Sequence, residues 1–328
     1  MVGNNSLGRQ VDLLFGGGSC YFRPVPHPQS CRSDSVDVFQ MAQNIGWNVI
    51  DKQQFDEISL DTKLPLMSLF APDMMAYDID RDPVVEPSLT EMASTALRLV
   101  NKASKERSTG FFIMIEGSRI DMAAHSNDPA AHLRDILEYN RAVAAVKKFV
   151  DQNPDTVMIS VSDHETGGFT VASSADPQYI WYPEMLAPVK HSGEYIAREI
   201  LSTTAANKAT HVRNSVLKSY LGISNPDESD ILFLSSQTAT FEDLDRRIGA
   251  ISARRANLGF TTHGHTAVDV NLYAYGVNSH LLRGNRENTE IGDFIKKSLR
   301  LDLDYITQKL NLDLGETPLD PDYPNTHH

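Results

Sequence analysis

Asp121 and His125 stand four residues apart in IEGSRIDMAAHSND (115–128), and Glu116 precedes them in the same stretch. If a helical turn begins at Asp121, the two side chains share a face, and a carboxylate and an imidazole can meet one metal ion. Glu116 closes an apolar run, GFFIMIEG (110–117). A second run, TVMISVS (156–162), delivers Asp163, His164 and Glu165, then Thr166 and a Gly-Gly pair that lets the backbone turn sharply. A third segment, THGHTAVDVNLYAYG (262–276), sets His263 and His265 just before another apolar run, and only one of these two is expected to face the site. Each segment alone has a plainer reading. A D-x-x-x-H pair is common by chance, and Asp163 with His164 can be a helix-capping aspartate beside a surface histidine. Their convergence at one edge of a sheet is hard to explain structurally.

The ligand types narrow the metal. Imidazole with carboxylate and no thiolate suits zinc, and a glutamate among oxygen ligands suits magnesium. Paired zinc ions suit in-line displacement at a phosphoryl or related ester centre. Other catalytic signatures are missing from the sequence: there is no G-x-S-x-G, no H-E-x-x-H and no G-x-x-x-x-G-K-[ST]. Gly16, Gly17 and Gly18 follow an apolar run but lack the residues of a phosphate loop, and read as a turn.

The elements that must position these residues alternate along the chain. Strands are expected over 11–17, 48–52, 64–71, 110–117, 156–162 and 268–276, and helices over 89–104, 131–153, 194–202, 211–222, 239–254 and 287–301. This alternation predicts an α/β fold with a mostly parallel central sheet and helices on both faces. Ligands of such folds gather at the carboxyl ends of the strands.

Composition bounds the rest. With 328 residues, 41% hydrophobic and 22% charged, the chain can bury a sizeable core, and no apolar run approaches a membrane span. A net charge of -13 argues against nucleic acid as a partner, since that binding rests on clustered Lys and Arg. The opening MVGNNSLGRQ has no apolar core or small-residue cleavage site of a leader. Cys20 and Cys31 bracket a Pro-rich loop and are either a buried thiol pair or a local disulfide, the latter implying an oxidising lumen.

Together with DLLFGGG (12–18), PSLTEMASTAL (87–97) and GNRENTEIGDF (284–294), the three site motifs resemble the alkaline phosphatases, most closely the fungal vacuolar, repressible type. They span nearly the whole chain in the family's order. The resemblance implies an alkaline-phosphatase-like α/β fold, here incomplete, with residues 1–315 as the C-terminal portion of one domain and 316–328 as a disordered tail. It makes Asp121, His125 and His265 ligands of one Zn2+, Asp163 and His164 ligands of a second Zn2+, and Glu116 a ligand of Mg2+. His265 is favoured over His263 because the family's ligand is the histidine followed by a small pair, here Thr266 and Ala267.

The implied activity is hydrolysis of small phosphate monoesters through a phosphoserine intermediate. A homodimer and a vacuolar or other lumenal location are implied with it. Departures matter as much. The family's serine nucleophile in Asp-Ser-Ala, its bridging aspartate in Gly-Asp-Gly and its phosphate-binding arginine are not found, so no catalytic residue is assigned in this chain. Asp34 and Ser35 are followed by Val36 and Asp37 and do not fit that segment. The sequence is therefore expected to start where the family's second half starts, to supply the second zinc set only in part, and to expose strand edges and apolar faces. Activity is implied for the complete site rather than for these residues alone. A non-catalytic metal-binding protein is the alternative, and a sulfatase, phosphodiesterase or phosphomutase of the wider superfamily a third.

Overall fold

The computed structural model describes residues 2–3, 8–173 and 179–313, so the segment 316–328 lies outside the described residues. The first unit runs β1 (Leu13–Gly16), α1 (Val38–Asn44), β2 (Asn48–Val49), α2 (Lys52–Asp56) and β3 (Leu66–Leu69). Its strands form a parallel sheet in the order β1-β3-β2, with Leu66 in register with both Leu13 and Asn48. Parallel strands need cover on both faces. Leu14 and Met67 pack with Ala42 and Trp47 on one face. Side chains alternate along a strand, so Phe15 turns to the other, where its ring meets Phe55 edge-on at 5.1 Å. Cys20 and Cys31 form a disulfide across the Pro-rich loop beside this sheet, which settles the alternative left open by the sequence.

Helix starts are written in the local chemistry. In α3 (Leu89–Arg107), Ser88 and Glu91 form a capping box, satisfying amides that a helix start leaves orphaned. α4 (Ser118–His125) leads through a tight turn into α5 (Pro129–Gln152), where Asp128 caps two amides and Pro129 takes the first helical position. Next come β4 (Val157–Val161), β5 (Glu165–Thr166) and β6 (Thr170–Val171). The helical layer is α6 (Gly193–Ser202), α7 (Lys208–His211) with a π-helical continuation Val212–Tyr220, α8 (Glu228–Leu234) and α9 (Phe241–Ala256). The chain continues through β7 (Leu258–Gly259), β8 (His265–Thr266), β9 (Leu272–Gly276), α10 (Asn288–Leu299) and α11 (Leu303–Asp313).

The largest core joins α6, the π-helical stretch, α8 and α9 through Ile196, Ile200, Val216, Leu217, Leu234, Leu244 and Ile248. Each such side chain, fully removed from water, contributes roughly 1.5–3 kcal/mol. α5 lies against α3, α4 and α9, so the helix that follows the metal-ligand candidates is held from three sides.

The α/β class and the six helices are as expected from the pattern. The parallel pairing is carried by β1, β2 and β3, whereas the later strands pair antiparallel in twos: β4 with β9, β5 with β8 and β6 with β7. The strand expected over 110–117 is not formed. Residues 111–117 alternate half-buried and exposed as a strand would, but among the described residues no neighbouring strand bonds to them. Phe112 and Met114 are left 61% and 77% exposed, and Tyr273 on β9 61%, in line with the expected exposed apolar faces.

Candidate metal centre

α4 carries its two faces by simple geometry. Arg119 and Asp121 are two residues apart, which on a helix is more than half a turn, so they point to opposite sides. Arg119 is buried, stacks on the Tyr77 ring at 3.6 Å and donates to Glu194 at 2.6 Å. With that side anchored, Asp121 and His125 face outward one turn apart, Asp121 Oδ2 lying 3.3 Å from His125 Nε2.

β5 and β8 bring the remaining groups to them. Their antiparallel register sets Thr166 opposite His265 and Glu165 opposite Thr266. His265 Nε2 thereby lies 3.1 Å from His125 Nε2 and 3.8 Å from Asp121 Oδ1. His164 stacks on the His265 ring at 3.5 Å, with its Nδ1 4.0 Å from Asp121 Oδ1.

The tautomers follow from the partners. His125 Nδ1 is 2.6 Å from the His263 carbonyl. A carbonyl only accepts, so the neutral ring keeps its hydrogen on Nδ1 and turns the Nε2 lone pair toward Asp121 and His265. Thr166 donates its hydroxyl hydrogen to Asp121 Oδ1 and lies 3.1 Å from His164 Nδ1. The hydroxyl oxygen therefore accepts from His164, whose free Nε2 then stands 3.3 Å from Asp163 Oδ2. Thr166 is nearly buried, so this bridge is sheltered from water.

The turn between β5 and β6 is stitched to the 261–264 loop. Gly167 donates to the Gly264 carbonyl at 2.9 Å and accepts from Thr261 at 2.9 Å. Gly168 has a φ of +59°, and a Cβ there would collide with the Thr261 hydroxyl. Glu165 braces the same turn. It accepts from the Gly168 and Phe169 amides, both at 3.3 Å, and from the Thr266 hydroxyl. Those bonds, the Thr266 hydroxyl foremost, hold its carboxyl below the usual range.

Asp121, His125 and His265 form a group of three whose ligand atoms all lie within 4.8 Å of one another. One carboxylate and two imidazole Nε2 atoms drawn this close together fit a zinc ion, and three protein ligands leave a position open. Asp163 and His164 form an adjoining pair, with Asp163 85% exposed. Glu116 is not drawn in: it is exposed, precedes α4 and lies outside the group of three.

Three contributors, Thr166, Glu165 and His263, stand in the sequence motifs without a task assigned to them. Thr166 had a signal, since residues two apart on extended backbone share a side, and His164 and Thr166 do. Glu165 had none, because its partner Thr266 lies across a pairing that only the fold creates. His263 adds to an expectation: both His263 and His265 reach α4, but only His265 turns a ring nitrogen to Asp121, which leaves His263 a neighbour of the group rather than a member of it.

A family model described as alkaline phosphatase matches residues 2–301. An alkaline phosphatase of Schizosaccharomyces pombe is 43% identical over 315 residues, covering 94% of this chain and 59% of that protein. The repressible alkaline phosphatase of Saccharomyces cerevisiae is 37% identical, covering 93% and 59%. The chain thus spans about three fifths of the length of these relatives. The crystal structure of a cold-active alkaline phosphatase from a psychrophile, Shewanella sp., superposes with a TM-score of 0.70 at 25% identity, covering 87% of this chain and 64% of that one. That of the Thermus thermophilus alkaline phosphatase also gives 0.70, at 24% identity, covering 93% and 67%.

Proposed function

The chain belongs to the alkaline phosphatase family, and from that premise we propose that it serves hydrolysis of phosphate monoesters by holding the metal ions of the site. Asp121, His125 and His265 would hold one zinc, Asp163 and His164 would contribute to a second, and Glu116 would serve magnesium. Bound zinc supplies Lewis-acid polarisation of a phosphoryl oxygen and charge to offset the anion in an otherwise acidic protein.

The single observation that carries this reading is the convergence of Asp121, His125 and His265 within 4.8 Å. The chain's own residues then have definite tasks. Thr166 holds the His164 proton on Nδ1 and so presents Nε2. Glu165 and the two glycines fix the turn that sets His164 beside His265. His265, about half exposed, leaves the group open to a small anionic ester. The disulfide supports residence in an oxidising lumen, such as the vacuole.

A second reading has its own observation. Neither Asp-Ser-Ala nor Gly-Asp-Gly occurs among the 328 residues, which favours zinc binding without turnover by these residues on their own. Metal content and release of nitrophenol from p-nitrophenyl phosphate, measured on the parent chain and Asp121→Ala, separate the two. Zinc-dependent release lost in Asp121→Ala supports hydrolysis by these residues themselves, and zinc uptake lost in that variant with no release in either protein supports a metal-holding part that does not turn over on its own. Uptake unchanged by Asp121→Ala would sink both.

A further inference from the structure

His263 and His125 are 138 residues apart in sequence, yet they exchange two hydrogen bonds. His125 Nδ1 donates to the His263 carbonyl at 2.6 Å, and His263 Nδ1 donates to the His125 carbonyl at 2.6 Å. The second bond lands on a special atom. His125 is the last residue of α4, and the amides that follow it turn back to Met122, Ala124 and Ala123, leaving its own carbonyl unclaimed by the helix. Asn127 reinforces the joint. With its amide nitrogen turned to the two carbonyls, it donates to Ala124 and Thr262, both at 2.9 Å, while its oxygen lies 3.2 Å from His263 Nδ1 as a longer, second acceptor beside the His125 carbonyl.

The reciprocity has a consequence for the ligand atom. The His263 carbonyl sets the His125 tautomer and ring plane, while the His263 ring ties that carbonyl's loop to the end of α4. Removing the ring donor takes away the tie between residue 263 itself and the end of α4, so the carbonyl is less firmly placed although Gly167 and Asn127 still hold the rest of the loop, and the His125 ring loses part of the constraint that aims Nε2 at Asp121 and His265. Both side chains are in part open to water, so burial does not replace the lost constraint.

We propose that His263 is a positioning residue of the zinc site, holding His125 in its metal-binding tautomer through this two-way exchange without itself supplying a ligand atom. The inference rests on the reading of Asp121, His125 and His265 as a zinc-holding group. Partners of this kind, bonded to the far nitrogen of a ligating histidine, change metal affinity by about 10- to 100-fold when removed.

The test is competition of the full chain with a chelator for Zn2+, together with the visible spectrum of the Co2+-loaded protein. His263→Leu keeps comparable bulk without a donor, and His263→Asn keeps an amide N–H near the position of Nδ1. His263→Leu is expected to bind Zn2+ about 10- to 100-fold more weakly and to alter the Co2+ spectrum. His263→Asn is expected to recover most of the affinity and the parent spectrum. Should His263→Leu fail to fold, His263→Ala replaces it with the same expectation. A merely structural cap would lower the melting temperature of the zinc-free chain and leave affinity and spectrum unmoved, which overturns the proposal. Equal losses in the Leu and Asn variants overturn it as well. His265→Ala keeps the two failures apart. If it does not weaken Zn2+ binding, the metal reading fails. If it does, and His263→Leu binds within twofold of the parent, only the assignment of His263 fails.

Discussion

Asp135→Asn tests the half-buried acids behind α4 by the pH dependence of stability. The Asp135 carboxylate on α5 accepts from the Asp78 amide at 3.3 Å, beside Asp78 and Asp80 and in the field of Arg119. Burial is the main cause that lifts its pKa from the ordinary 3.8 to about 7, with the two aspartates adding to it and Arg119 opposing. The sign follows from proton counts. Between pH 4 and pH 7 the folded chain holds a proton on Asp135 that the unfolded chain has released, so this group's contribution is present at low pH and lost as pH rises through about 7. Between pH 5 and pH 8 the loss is about 2.5 kcal/mol for this one group. Asp245, raised by burial to about 6, loses stability in the same direction and does so in both proteins. The asparagine keeps a carbonyl for the Asp78 amide but cannot ionise. Denaturant unfolding at pH 5 and pH 8 is therefore expected to show a fall in the parent about 2.5 kcal/mol larger than in Asp135→Asn. Equal falls in the two proteins, within about 0.5 kcal/mol, would refute the reasoning that burial holds this proton.

Thr166→Val removes the hydroxyl shared by Asp121 and His164, so Zn2+ affinity by chelator competition should drop about 10- to 100-fold while Thr166→Ser retains it; equal affinities would show that the bridge orients nothing. Gly168→Ala places a methyl on a left-handed backbone against the Thr261 hydroxyl and should cost about 1–3 kcal/mol in denaturant unfolding, whereas Gly292→Ala, inside α10 with open space for the methyl, should gain about 0.4–1 kcal/mol. Cys20 and Cys31 close a loop across a separation of 11 residues, so Cys31→Ala should lower stability by about 3 kcal/mol, with added reductant bringing the parent to the same midpoint and leaving the variant unchanged.

What the sequence made legible follows from the range of the forces involved. Ser88 with Glu91, Asp128 with the Ala130 and Ala131 amides and Thr240 with Asp243 are contacts within four residues, and the helices they start are all among those the sequence predicts. The apolar residues of β1 and β3 also announced strands, because burial on both faces demands a continuous apolar run. Residues 110–117 have the same kind of composition and form no strand, because a strand is a pairing and composition does not specify a partner. The antiparallel register of β4 with β9 escaped for the same reason.

The site divides along the same line. Asp121 and His125 are joined by one helical turn, and their meeting could be read from spacing alone. His265 reaches them only because β8 pairs with β5, and β5 stands where it does only because Gly167 and Gly168 turn the chain onto the 261–264 loop. Thr166, Glu165 and His263 are links in that long-range joint, so their tasks came into view only with the pairing. The joint also explains why Thr166 and His263 are better probes than the ligands themselves. Replacing a ligand removes a donor atom wherever the chain places it, whereas Thr166→Val and His263→Leu leave all three donor atoms of the group present and disturb only their aim. A loss of Zn2+ affinity in these two variants would measure preorganisation directly, because nothing else in the donor set has changed.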